Sequence, residues 1–468
     1  MPTYLGIDFG TSGLRGVIID ENLNKIASAA LPYPGCPSES LTDSQGWLQG
    51  LEMLAQQLRS IHTRAWSAIK AMSLDGTSGT LLLSDRRGNV LGPVLAYSDQ
   101  RAAAQAQQLK QQWPEGGICL SPASSLSKLL WLRCHLHNFS EAHYVHHQAD
   151  WVAAHLTNHW GISDRGNVLK MGLDAQHMKY PEQMLNILKT ADIDPAILPK
   201  VVHEGISIGT LDKSWAQRLG LSTAVQIRAG CTDSVAAATA AGLYMPGTAL
   251  SSLGSSLAFK VVHGKPINTM GLYSHYLGDF CLVGAASNAG ASILLQHFQR
   301  EQMRALESSL HTAYPSAALL YPLASSGERF PIQAPTWPGS TIPSGQNAET
   351  FQMLLEGLSY IEAWGYDVME KAGVSIQGPI KTVGGGSMNA AWMQMRAHIL
   401  NRSVEITVDT EAAKGSALIA AAADLGGLKI LGQTPVQPGR IFYPAADAVE
   451  RYAPYVQKFQ EKFSRFSD

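Results

Sequence analysis

The chain contains 468 residues, of which 45% are hydrophobic and 15% are charged, and its formal net charge is −2. These proportions describe a globular protein with enough apolar side chains for large cores, and the length predicts two domains. Because binding to a nucleic-acid backbone needs clustered lysines and arginines, which this chain lacks, we exclude nucleic acid as a main partner.

The first half of the chain alternates strand patterns with helical spacing. Apolar residues recur at helical spacing between Leu48 and Ile61, while short apolar runs bounded by polar turns mark the strands. We predict strands at 3–9, 14–20, 24–31, 69–74, 80–84 and 90–97, with a hairpin connection over 85–89. Short strands mixed with helices of this length predict an α/β fold.

The second half repeats this alternation. We predict strands over 248–262 (a pair), 280–285, 380–383 and 404–408, and helices over 288–300, 303–312, 351–369, 389–400, 411–425 and 452–459. Between residues 315 and 343 we expect an ordered surface loop, because Phe330, Ile332 and Trp337 give it side chains to bury. We place the domain change near residue 240, which gives domains over 1–240 and 241–429.

An acidic residue and a glycine-rich turn join the first two predicted strands. Asp8 ends the first strand, and Gly10, Thr11 and Ser12 follow it. Backbone N–H groups and hydroxyls in such a turn can hold phosphate oxygens, and a carboxylate at a strand end can hold Mg²⁺, usually through water. An ordinary hairpin turn is the alternative, since turns favour the same residue types for backbone reasons. The acid before the turn and Arg15 behind it favour the phosphate site.

Two later turns have related compositions. Residues 250–259 repeat the strand–turn–strand pattern in weaker form around Gly254 and Ser255, which predicts a second phosphate loop. Residues 384–389 place three glycines between a strand and a helix, so a flat ring or a phosphate can approach the backbone closely, although a plain connection is the alternative. Neither G-x-G-x-x-G nor the P-loop pattern occurs, so neither a dinucleotide fold nor a P-loop enzyme is indicated.

A further acid stands where a helix of small residues begins. Asp233 follows the apolar segment 225–229. An acid in this position is often only a helix cap. It can equally accept the proton of a substrate hydroxyl during phosphoryl transfer. The hydroxyl-rich turn over residues 75–80 is a candidate pocket for such a substrate.

The cysteines and histidines form no recognisable redox or zinc pattern. The five cysteines include no C-x-x-C pair and are odd in number, so we expect a reducing, cytoplasmic setting. Seven histidines lie between residues 135 and 159 without an H-E-x-x-H pattern, and we expect them on a solvated helix surface. The most apolar stretch is too short to span a bilayer, so we expect no membrane partner.

Together these segments resemble the FGGY carbohydrate kinase family, within the hexokinase and actin-like ATPase superfamily. Residues 8–12 resemble its first phosphate motif, residues 252–256 its second and residues 384–394 its adenosine motif. Residues 97–101 resemble the aromatic-x-Asp-x-Arg segment of xylulose kinases, and residues 442–444 resemble the family's C-terminal region. The order of these modest motifs along the chain carries the resemblance.

The resemblance implies two ribonuclease H-like domains of the actin and hexokinase type flanking a central cleft for ATP and a sugar. It implies that residues 430–468 pack back on the first domain. It also implies ATP-dependent phosphorylation of the terminal hydroxyl of a ketopentose, with D-ribulose expected before D-xylulose. The enzyme is expected to be a monomer or a homodimer.

The resemblance also assigns roles to individual residues. It implies catalytic roles for Asp8, Thr11 and Asp233, with Asp233 accepting the proton of the sugar O5. Sugar contacts are implied for Asp8, Ser78, Asp99 and Asp233, and ATP contacts for Gly10, Thr11, Ser12, Gly254, Ser255, Gly384, Gly385 and Asn389. Mg²⁺ is implied at Asp8 through water, with Asp233 as a second candidate ligand.

Two other classes of protein use the same nucleotide clamp. An actin-like or chaperone-type ATPase switch would hydrolyse ATP at a rate that added sugar does not change. A sugar sensor would keep the fold without phosphotransfer. The polar turn at 75–80 argues against a pure switch, and the presence of both Asp8 and Asp233 argues against a sensor.

Overall fold

The structure is a computed structural model that describes residues 1–35, 41–269, 271–408, 410–433 and 439–467. By their contacts these residues form two compact units. The first unit contains Met1–Ala240, Tyr276–Asp279 and Asp409–Pro435, and the second contains Ala241–His275, Phe280–Val408 and Val436–Asp468, each within the described ranges. Each unit has its own mixed sheet and helices, which confirms the predicted two-domain α/β fold.

Residues 1–240 form eleven strands and nine α-helices within the described ranges. The strands are β1 (Thr3–Phe9), β2 (Gly13–Asp20), β3 (Lys25–Pro32), β4 (Ile69–Gly76), β5 (Leu81–Ser84), β6 (Val90–Leu95), β7 (Tyr144–His147), β8 (Ile162–Asp164), β9 (Lys200–Val202), β10 (Ser207–Thr210) and β11 (Gln226–Thr232). The helices are α1 (Ser44–Ile61), α2 (Thr63–Ser67), α3 (Ala103–Gln112), α4 (Ser125–His135), α5 (Gln148–Thr157), α6 (Arg165–Val168), α7 (Glu182–Thr190), α8 (Lys213–Leu219) and α9 (Asp233–Ala240).

The elements after residue 240 follow in the same alternating style. The strands are β12 (Ala249–Leu253), β13 (Leu257–His263), β14 (Tyr273–Leu277), β15 (Phe280–Ser287), β16 (Ile380–Val383), β17 (Val404–Ile406) and β18 (Ile441–Phe442). The helices are α10 (Ser292–His297), α11 (Arg300–Leu306), α12 (Ala348–Lys371), α13 (Ala390–Leu400), α14 (Ala412–Asp424) and α15 (Ala446–Ser464). Short 3₁₀ helices lie at Pro114–Leu120, Phe139–Glu141, Leu169–Met171, Pro195–Ile197, Glu307–Ser309, Gly385–Met388 and Leu428–Gln433.

The first unit is built on a six-stranded sheet in the order β10-β11-β4-β1-β2-β3. Strands β11, β4 and β1 are parallel, and the outer strands join them antiparallel. Strand β1 is buried along its whole length. Helix α14 packs on β1 and β4. A Cβ atom on Gly6 would lie 1.9 Å from the carbonyl oxygen of Ala413, so only glycine allows this close packing. The parallel strands therefore end at one edge, as expected for ligand sites in such sheets.

The second unit has a seven-stranded sheet in the order β14-β15-β13-β12-β16-β17-β18. Its strands β12, β16 and β17 are parallel, and β12 forms an antiparallel hairpin with β13. Helices α12 and α13 pack together, and α15 packs on both. The two units therefore begin with the same arrangement. In each, the first strand forms an antiparallel hairpin with the next strand and also pairs with a parallel strand.

The division of the chain differs from the expected one near its C-terminus. Helix α14 was expected in the second domain, but it lies in the first unit, where Gly415 approaches the backbone of Ala236 closely. The prediction that residues 430–468 pack on the first domain is wrong for residues 439–467, because α15 buries Tyr452, Phe459 and Phe463 in the core of the second unit, whereas residues 430–433 lie in the first unit. Long-range packing, which no local pattern records, decides both placements.

The segment after residue 310 is irregular as predicted, whereas the two helices before it are shorter than predicted. The described residues between 310 and 347 contain no helix or strand beyond one isolated bridge, and Phe330 and Ile332 are buried as predicted. The helices predicted over 288–300 and 303–312 are shorter, at Ser292–His297 and Arg300–Leu306. A polar capping box at Gln299 starts the second of these and separates them.

Candidate active site

Three carboxylates stand at the carboxyl ends of neighbouring parallel strands in the first unit. Asp8 on β1 pairs in register with Asp75 on β4. Asp233 directly follows β11, whose Cys231 also pairs with Asp75. Neighbouring strands lie about 4.8 Å apart, so β1 and β11, which flank β4, are separated by roughly 10 Å. The sheet therefore brings Asp8 and Asp233 to the same edge, although they are distant in sequence.

A glycine sets the position at which β11 ends. The pairing between β11 and β4 shifts register between Arg228 and Cys231. A Cβ atom on Gly230 would lie 1.7 Å from the carbonyl oxygen of Leu74, so no other residue fits this approach. Gly230 thereby fixes where helix α9 begins and where its first residue, Asp233, lies.

Asp8 and Asp75 are buried acids whose charge is only partly balanced. Arg15 Nη1 donates a hydrogen bond to Asp8 Oδ2 at 3.0 Å, yet burial raises the pKa of Asp8, which the contacts with Asp75 and Arg15 only partly oppose. Asp75 is completely buried, and its Oδ2 accepts a hydrogen bond from Ser416 Oγ at 2.5 Å. Burial first, and then the charge of Asp8, hold the pKa of Asp75 well above its usual range, and the charge of Asp233 adds to this. Of Asp8 and Asp75, Asp75 is therefore the more readily protonated.

Hydrogen bonds hold the backbone of the turn between β1 and β2, while its hydroxyl side chains are exposed. Gly10 N donates to Gly13 O at 3.1 Å, and the Tyr33 hydroxyl donates to Gly10 O at 3.0 Å. Thr11 and Ser12 are exposed. A Cβ atom on Gly10 would lie 2.9 Å from Arg15 Nη1, so a larger residue there would disturb the arginine beside Asp8. The turn thus presents two free-standing hydroxyl side chains next to the buried acid.

Two lysines and a glutamine hold the turn that follows β4. Lys170 Nζ donates to Ser78 O at 2.9 Å, and Lys128 Nζ donates to Gly79 O at 2.8 Å. The Thr77 hydroxyl donates to Gln148 Oε1 at 2.9 Å. Ser78 Oγ is buried without a hydrogen-bond partner among the described residues. The turn therefore has a fixed backbone and one unsatisfied hydroxyl.

The two lysine amines are affected differently by their surroundings. Burial, and after it the charge of Lys170, lowers the pKa of Lys128 to about 7. Burial also lowers the pKa of Lys170, although the charge of Asp233 acts in the opposite direction. Lys170 therefore binds the turn at Ser78 and is also influenced by the charge of Asp233.

Asp99 is engaged by its own neighbour. Both oxygens of Asp99 accept hydrogen bonds from the Arg101 guanidinium, the shortest at 2.6 Å from Nη2, and Oδ1 also accepts from Arg101 N at 3.0 Å. Burial alone would raise the pKa of Asp99, but Arg101 more than offsets this and lowers it. Arg101 in turn lies over the Trp131 ring, 5.0 Å from its centroid. Asp99 therefore belongs to a paired surface group rather than presenting a bare carboxylate.

In the second unit, the turn between β12 and β13 is supported by the segment that starts α10. Ala291 N donates to Gly254 O at 2.8 Å, and Ser292 Oγ donates to Ser255 O at 2.7 Å. Gly290 lies so close that an added Cβ would be 2.4 Å from Ser255 O. Since the carbonyl oxygens of Gly254 and Ser255 are used on this side, the turn has a fixed shape with Ser255 exposed.

The glycine turn after β16 leads directly into helix α13. Gly384 has φ +92°, and an added Cβ would lie 2.7 Å from Leu253 O, so this turn rests on the end of β12. Gly385 has no heavy atom within 4 Å of the position of an added Cβ, so this side is open. Asn389 Oδ1 caps the helix by accepting from Trp392 N at 2.8 Å. Glu307 Oε1 accepts from Ala390 N at 2.7 Å, so a carboxylate already occupies the N-terminus of α13.

The structure adds two residues to those that the sequence indicated. Asp75 was noted only as part of a hydroxyl-rich turn, although its position after an apolar strand, like that of Asp8, is the signal for a strand-end acid. Lys170 carries no local signal, because only the tertiary fold brings its amine to Ser78 O. Among the predicted residues, Asp8, Ser78 and Asp233 lie in the first unit, while Gly254, Gly384 and Asn389 lie in the second.

Two of the seven histidines do not lie on a solvated helix surface as expected. His146 and His147 are fully buried on β7, so the prediction of a solvated helix surface is wrong for both. His147 Nε2 lies 2.9 Å from Ser125 Oγ, and its Nδ1 lies 3.1 Å from Asp150 Oδ2. No group of three or more histidine, cysteine, aspartate or glutamate side chains able to hold a metal ion occurs in the described part of the chain.

Comparison with known proteins identifies the family. The model of the N-terminal domain of the FGGY family of carbohydrate kinases matches residues 3–240, and the model of its C-terminal domain matches residues 249–423. The chain belongs to the FGGY family of carbohydrate kinases. It is therefore an ATP-dependent carbohydrate kinase, with ATP and a sugar as its substrates.

Individual relatives extend over the full length. The chain is 27% identical to the xylulose kinase of Escherichia coli, across 99% of this chain and 98% of that protein. Among solved structures, a xyloylose kinase from Brucella ovis has a TM-score of 0.88 at 24% identity, with 99% of each chain covered. A gluconate kinase from Lactobacillus acidophilus has a TM-score of 0.84 at 18% identity, covering 99% of this chain and 98% of that one. These two structures share the fold.

None of the helices in the described residues has the length and apolar character needed to cross a membrane.

Proposed function

We propose that this FGGY kinase transfers the γ-phosphoryl group of ATP to the terminal hydroxyl of a ketopentose. The observation that carries the proposal is the pair of acids, Asp8 and Asp233, on the strands that flank β4. The acid beside the phosphate-type turn would help to stabilise the moving phosphoryl group. The acid at the helix start would remove the proton of the acceptor hydroxyl.

The names of the relatives support one ketopentose over the other. The xylulose kinase of Escherichia coli is similar over almost the whole chain, which supports D-xylulose. Our expectation from the sequence placed D-ribulose first, and the xylulose kinase of Escherichia coli does not support that order. Because the two sugars differ only in the orientation of one hydroxyl, we propose D-xylulose as the preferred acceptor and D-ribulose as the second.

Asp233 is the proposed general base. It would accept the proton of the acceptor hydroxyl, the sugar O5, as the phosphoryl group arrives. The Lys170 amine, whose charge interacts with Asp233, supports the ionised form of that acid. Ser78, with its unsatisfied buried hydroxyl, is proposed to bind a sugar hydroxyl. Asp99 is proposed to contact the sugar only together with Arg101, because Arg101 already binds both of its oxygens.

Asp8, with Gly10, Thr11 and Ser12, is the proposed site for the transferred phosphoryl group. Asp8 Oδ1 is buried without a hydrogen-bond partner among the described residues, and a carboxylate oxygen is a ligand that Mg²⁺ prefers. Since no cluster of three protein ligands occurs in the described ranges, we propose that Mg²⁺ is held through water at Asp8 and by ATP phosphates, with Asp233 a second candidate ligand. Bound Mg²⁺ would neutralise charge on the phosphates. The Thr11 hydroxyl would donate to the γ-phosphoryl oxygens.

The second unit is proposed to bind the rest of ATP. Gly254 and Ser255 would hold the inner phosphates, and Gly384, Gly385 and Asn389 would contact the adenosine. The carboxylate of Glu307 at the N-terminus of α13 supports this assignment, because it would repel a phosphate there while leaving the open Gly385 side for a flat ring.

A coupled ADP-release assay tests the proposal. Purified protein with ATP and Mg²⁺ is mixed with each of D-xylulose, D-ribulose, other ketopentoses, ketohexoses, glycerol and gluconate. We expect the highest kcat/KM with a ketopentose, D-xylulose first. ADP release at one rate with every sugar and without sugar would indicate the ATPase switch. A clear preference for glycerol or gluconate would overturn the ketopentose assignment while keeping the kinase.

A further inference from the structure

We propose that the buried ion pair between Arg396 and Glu362 positions the ATP site of the second unit. It would fix the spacing between the strand that leads to the Gly254 turn and the strand that leads to the Gly384 turn. The inference depends on the proposed function, which assigns ATP phosphates to the first turn and adenosine to the second. It adds a positioning pair to that site.

The pair is fully buried, and two hydrogen bonds join the guanidinium to the two carboxylate oxygens. Glu362 lies on α12 and Arg396 on α13, and both are at most 1% exposed. Arg396 Nε donates to Glu362 Oε2 at 2.7 Å, and Arg396 Nη2 donates to Glu362 Oε1 at 2.5 Å. This bidentate geometry fixes orientation as well as distance. The two helices are thus locked at one point along their lengths.

Each partner also binds a strand that precedes a nucleotide-binding turn. Ser251 Oγ on β12 donates to Glu362 Oε1 at 2.5 Å and lies 2.7 Å from the Tyr366 hydroxyl. Arg396 Nη1 donates to Thr382 Oγ1 on β16 at 2.9 Å. Ser251 and Thr382 are register partners on these neighbouring parallel strands. The pair therefore reaches both strands at the same level, just before each turn begins.

Helix α13 connects the pair to the adenosine turn a second time. Arg396 lies on the helix whose first turn is capped by Asn389. A rotation or slide of α13 would move Asn389 and Gly384 and would also break the contact of Arg396 with Thr382. The same ion pair thus fixes three elements that the proposed ATP site uses, namely β12, β16 and α13.

Stability alone does not account for such a pair. Replacing a buried ion pair by apolar side chains of similar volume is often neutral or stabilising, since removing two charges from water is costly. A neutral alternative would, however, lose the directional bonds to Ser251 and Thr382. We therefore assign the pair to positioning, where an error of about 1 Å costs up to about a hundredfold in rate.

The helix offers a matched control. Glu356 lies six residues before Glu362 on α12 and is equally buried at 1% exposure. Its carboxylate accepts hydrogen bonds from Ser316 N at 3.0 Å, from Gln352 Nε2 at 2.8 Å and from the Tyr452 hydroxyl at 3.3 Å. None of these recorded partners belongs to the two nucleotide-binding turns or to β12 and β16. Glu356→Gln therefore tests the loss of a buried carboxylate without the positioning contacts.

The experiment compares ATP binding and kinetics in Arg396→Lys, Glu362→Gln and Glu356→Gln, well below each variant's unfolding midpoint. We expect Arg396→Lys and Glu362→Gln to raise the Kd and KM for ATP by about tenfold, the effect of roughly 1.4 kcal/mol of binding free energy, with the KM for the sugar unchanged. Glu356→Gln should leave the affinity for ATP unchanged even where it lowers the unfolding midpoint. Equal effects on ATP and sugar, or the same loss of ATP affinity in the control, would overturn the proposal.

Two milder variants keep the test decisive if the charged residues are needed for folding. Ser251→Ala and Thr382→Val remove one strand contact each and leave the ion pair intact, and each should weaken ATP binding by a few-fold. Unchanged ATP affinity in both would overturn the proposal. ATP binding is measured directly, so a wild-type protein that binds ATP but phosphorylates no sugar would end the proposed function and leave this inference standing.

Discussion

The hairpin β1–β2 of the first unit and the hairpin β12–β13 of the second have the same strand pairing but side chains of different charge before the turn. In each, the first strand pairs antiparallel with the second and parallel with a neighbour, β4 or β16. Two residues before the turn glycine, the first hairpin carries Asp8, which pairs with Asp75, and the second carries Ser252, which pairs with Val383. At this position the first strand pair thus carries two acids, whereas the second carries a serine and a valine.

The difference shows where this protein keeps unbalanced charge. In the first unit, burial raises the pKa of Asp8 and of Asp75, because Arg15 and Ser416 compensate them only in part. In the second unit, Glu362 is paired with Arg396. Burying an unpaired charge is costly, so such charge is expected where chemistry uses it. This difference fits the proposal of catalysis at the first hairpin and ligand binding at the second.

Removal of the acid that follows β11 gives the largest expected effect. Asp233→Asn should lower kcat by roughly 10² or more, the range typical of a lost general base, with ATP affinity nearly unchanged. Steady-state kinetics and direct ATP titration measure both.

The control for this prediction is an acid with a purely structural cap. Asp212 accepts a hydrogen bond from Ser214 N at 2.8 Å and caps α8. Asp212→Asn should leave kcat unchanged. Wild-type turnover in Asp233→Asn, or an equal loss in both variants, would remove Asp233 from the mechanism and erase the contrast between the two units.

A buried histidine of the first unit is expected to make the stability of the protein depend on pH. Burial lowers the pKa of His146 to about 4, and neither ring nitrogen has a hydrogen-bond partner among the described residues. Because the folded pKa lies below the unfolded value of about 6.5, the unfolded chain binds the proton first, and stability is lost as pH falls from 6.5 towards 4. The loss should reach about 3 kcal/mol.

The measurement is the unfolding free energy by denaturant titration at several pH values. His146→Phe should flatten the dependence over this range, because it removes the group that titrates differently in the two states. An identical slope in the variant and in the wild type would assign the acid sensitivity to another group.

Removal of one hydroxyl from the first turn gives a smaller effect. Thr11→Ala should lower kcat/KM for ATP by about tenfold, as expected for one lost hydrogen bond to a charged group. The KM for the sugar should not change. Kinetics with each substrate varied in turn separate the two constants, and a change in the sugar KM alone would move Thr11 to the sugar pocket.

A further expected effect concerns Asp75 and appears mainly in stability. The folded pKa of this acid is raised, so the wild-type protein loses stability as pH rises from about 4 towards that folded value. Asp75→Asn keeps the size of the side chain and its contact with Ser416, and should flatten this decline. Unfolding midpoints at pH 4 to 8 test it. A steeper decline in the variant would mean that Asp75 is ionised and balanced in the folded protein.

The sequence alone determined the first two strands and the composition of the turn that joins them. The apolar run before Asp8, the Gly10–Ser12 turn and the next strand follow from local composition, and β1 and β2 lie within one residue of the prediction. The order of the motifs also indicated the family. These features are local because turn residues and hydrophobic periodicity depend on neighbours a few positions away.

Only the tertiary structure decided which distant groups meet. The pairing of Asp75 with Asp8, the approach of Lys170 to Ser78 and the burial of His146 all depend on contacts between segments far apart in sequence. So does the exchange by which α14 joins the first unit and α15 the second. Strand register and helix docking are set by the packing of whole faces, so no short window of residues contains them.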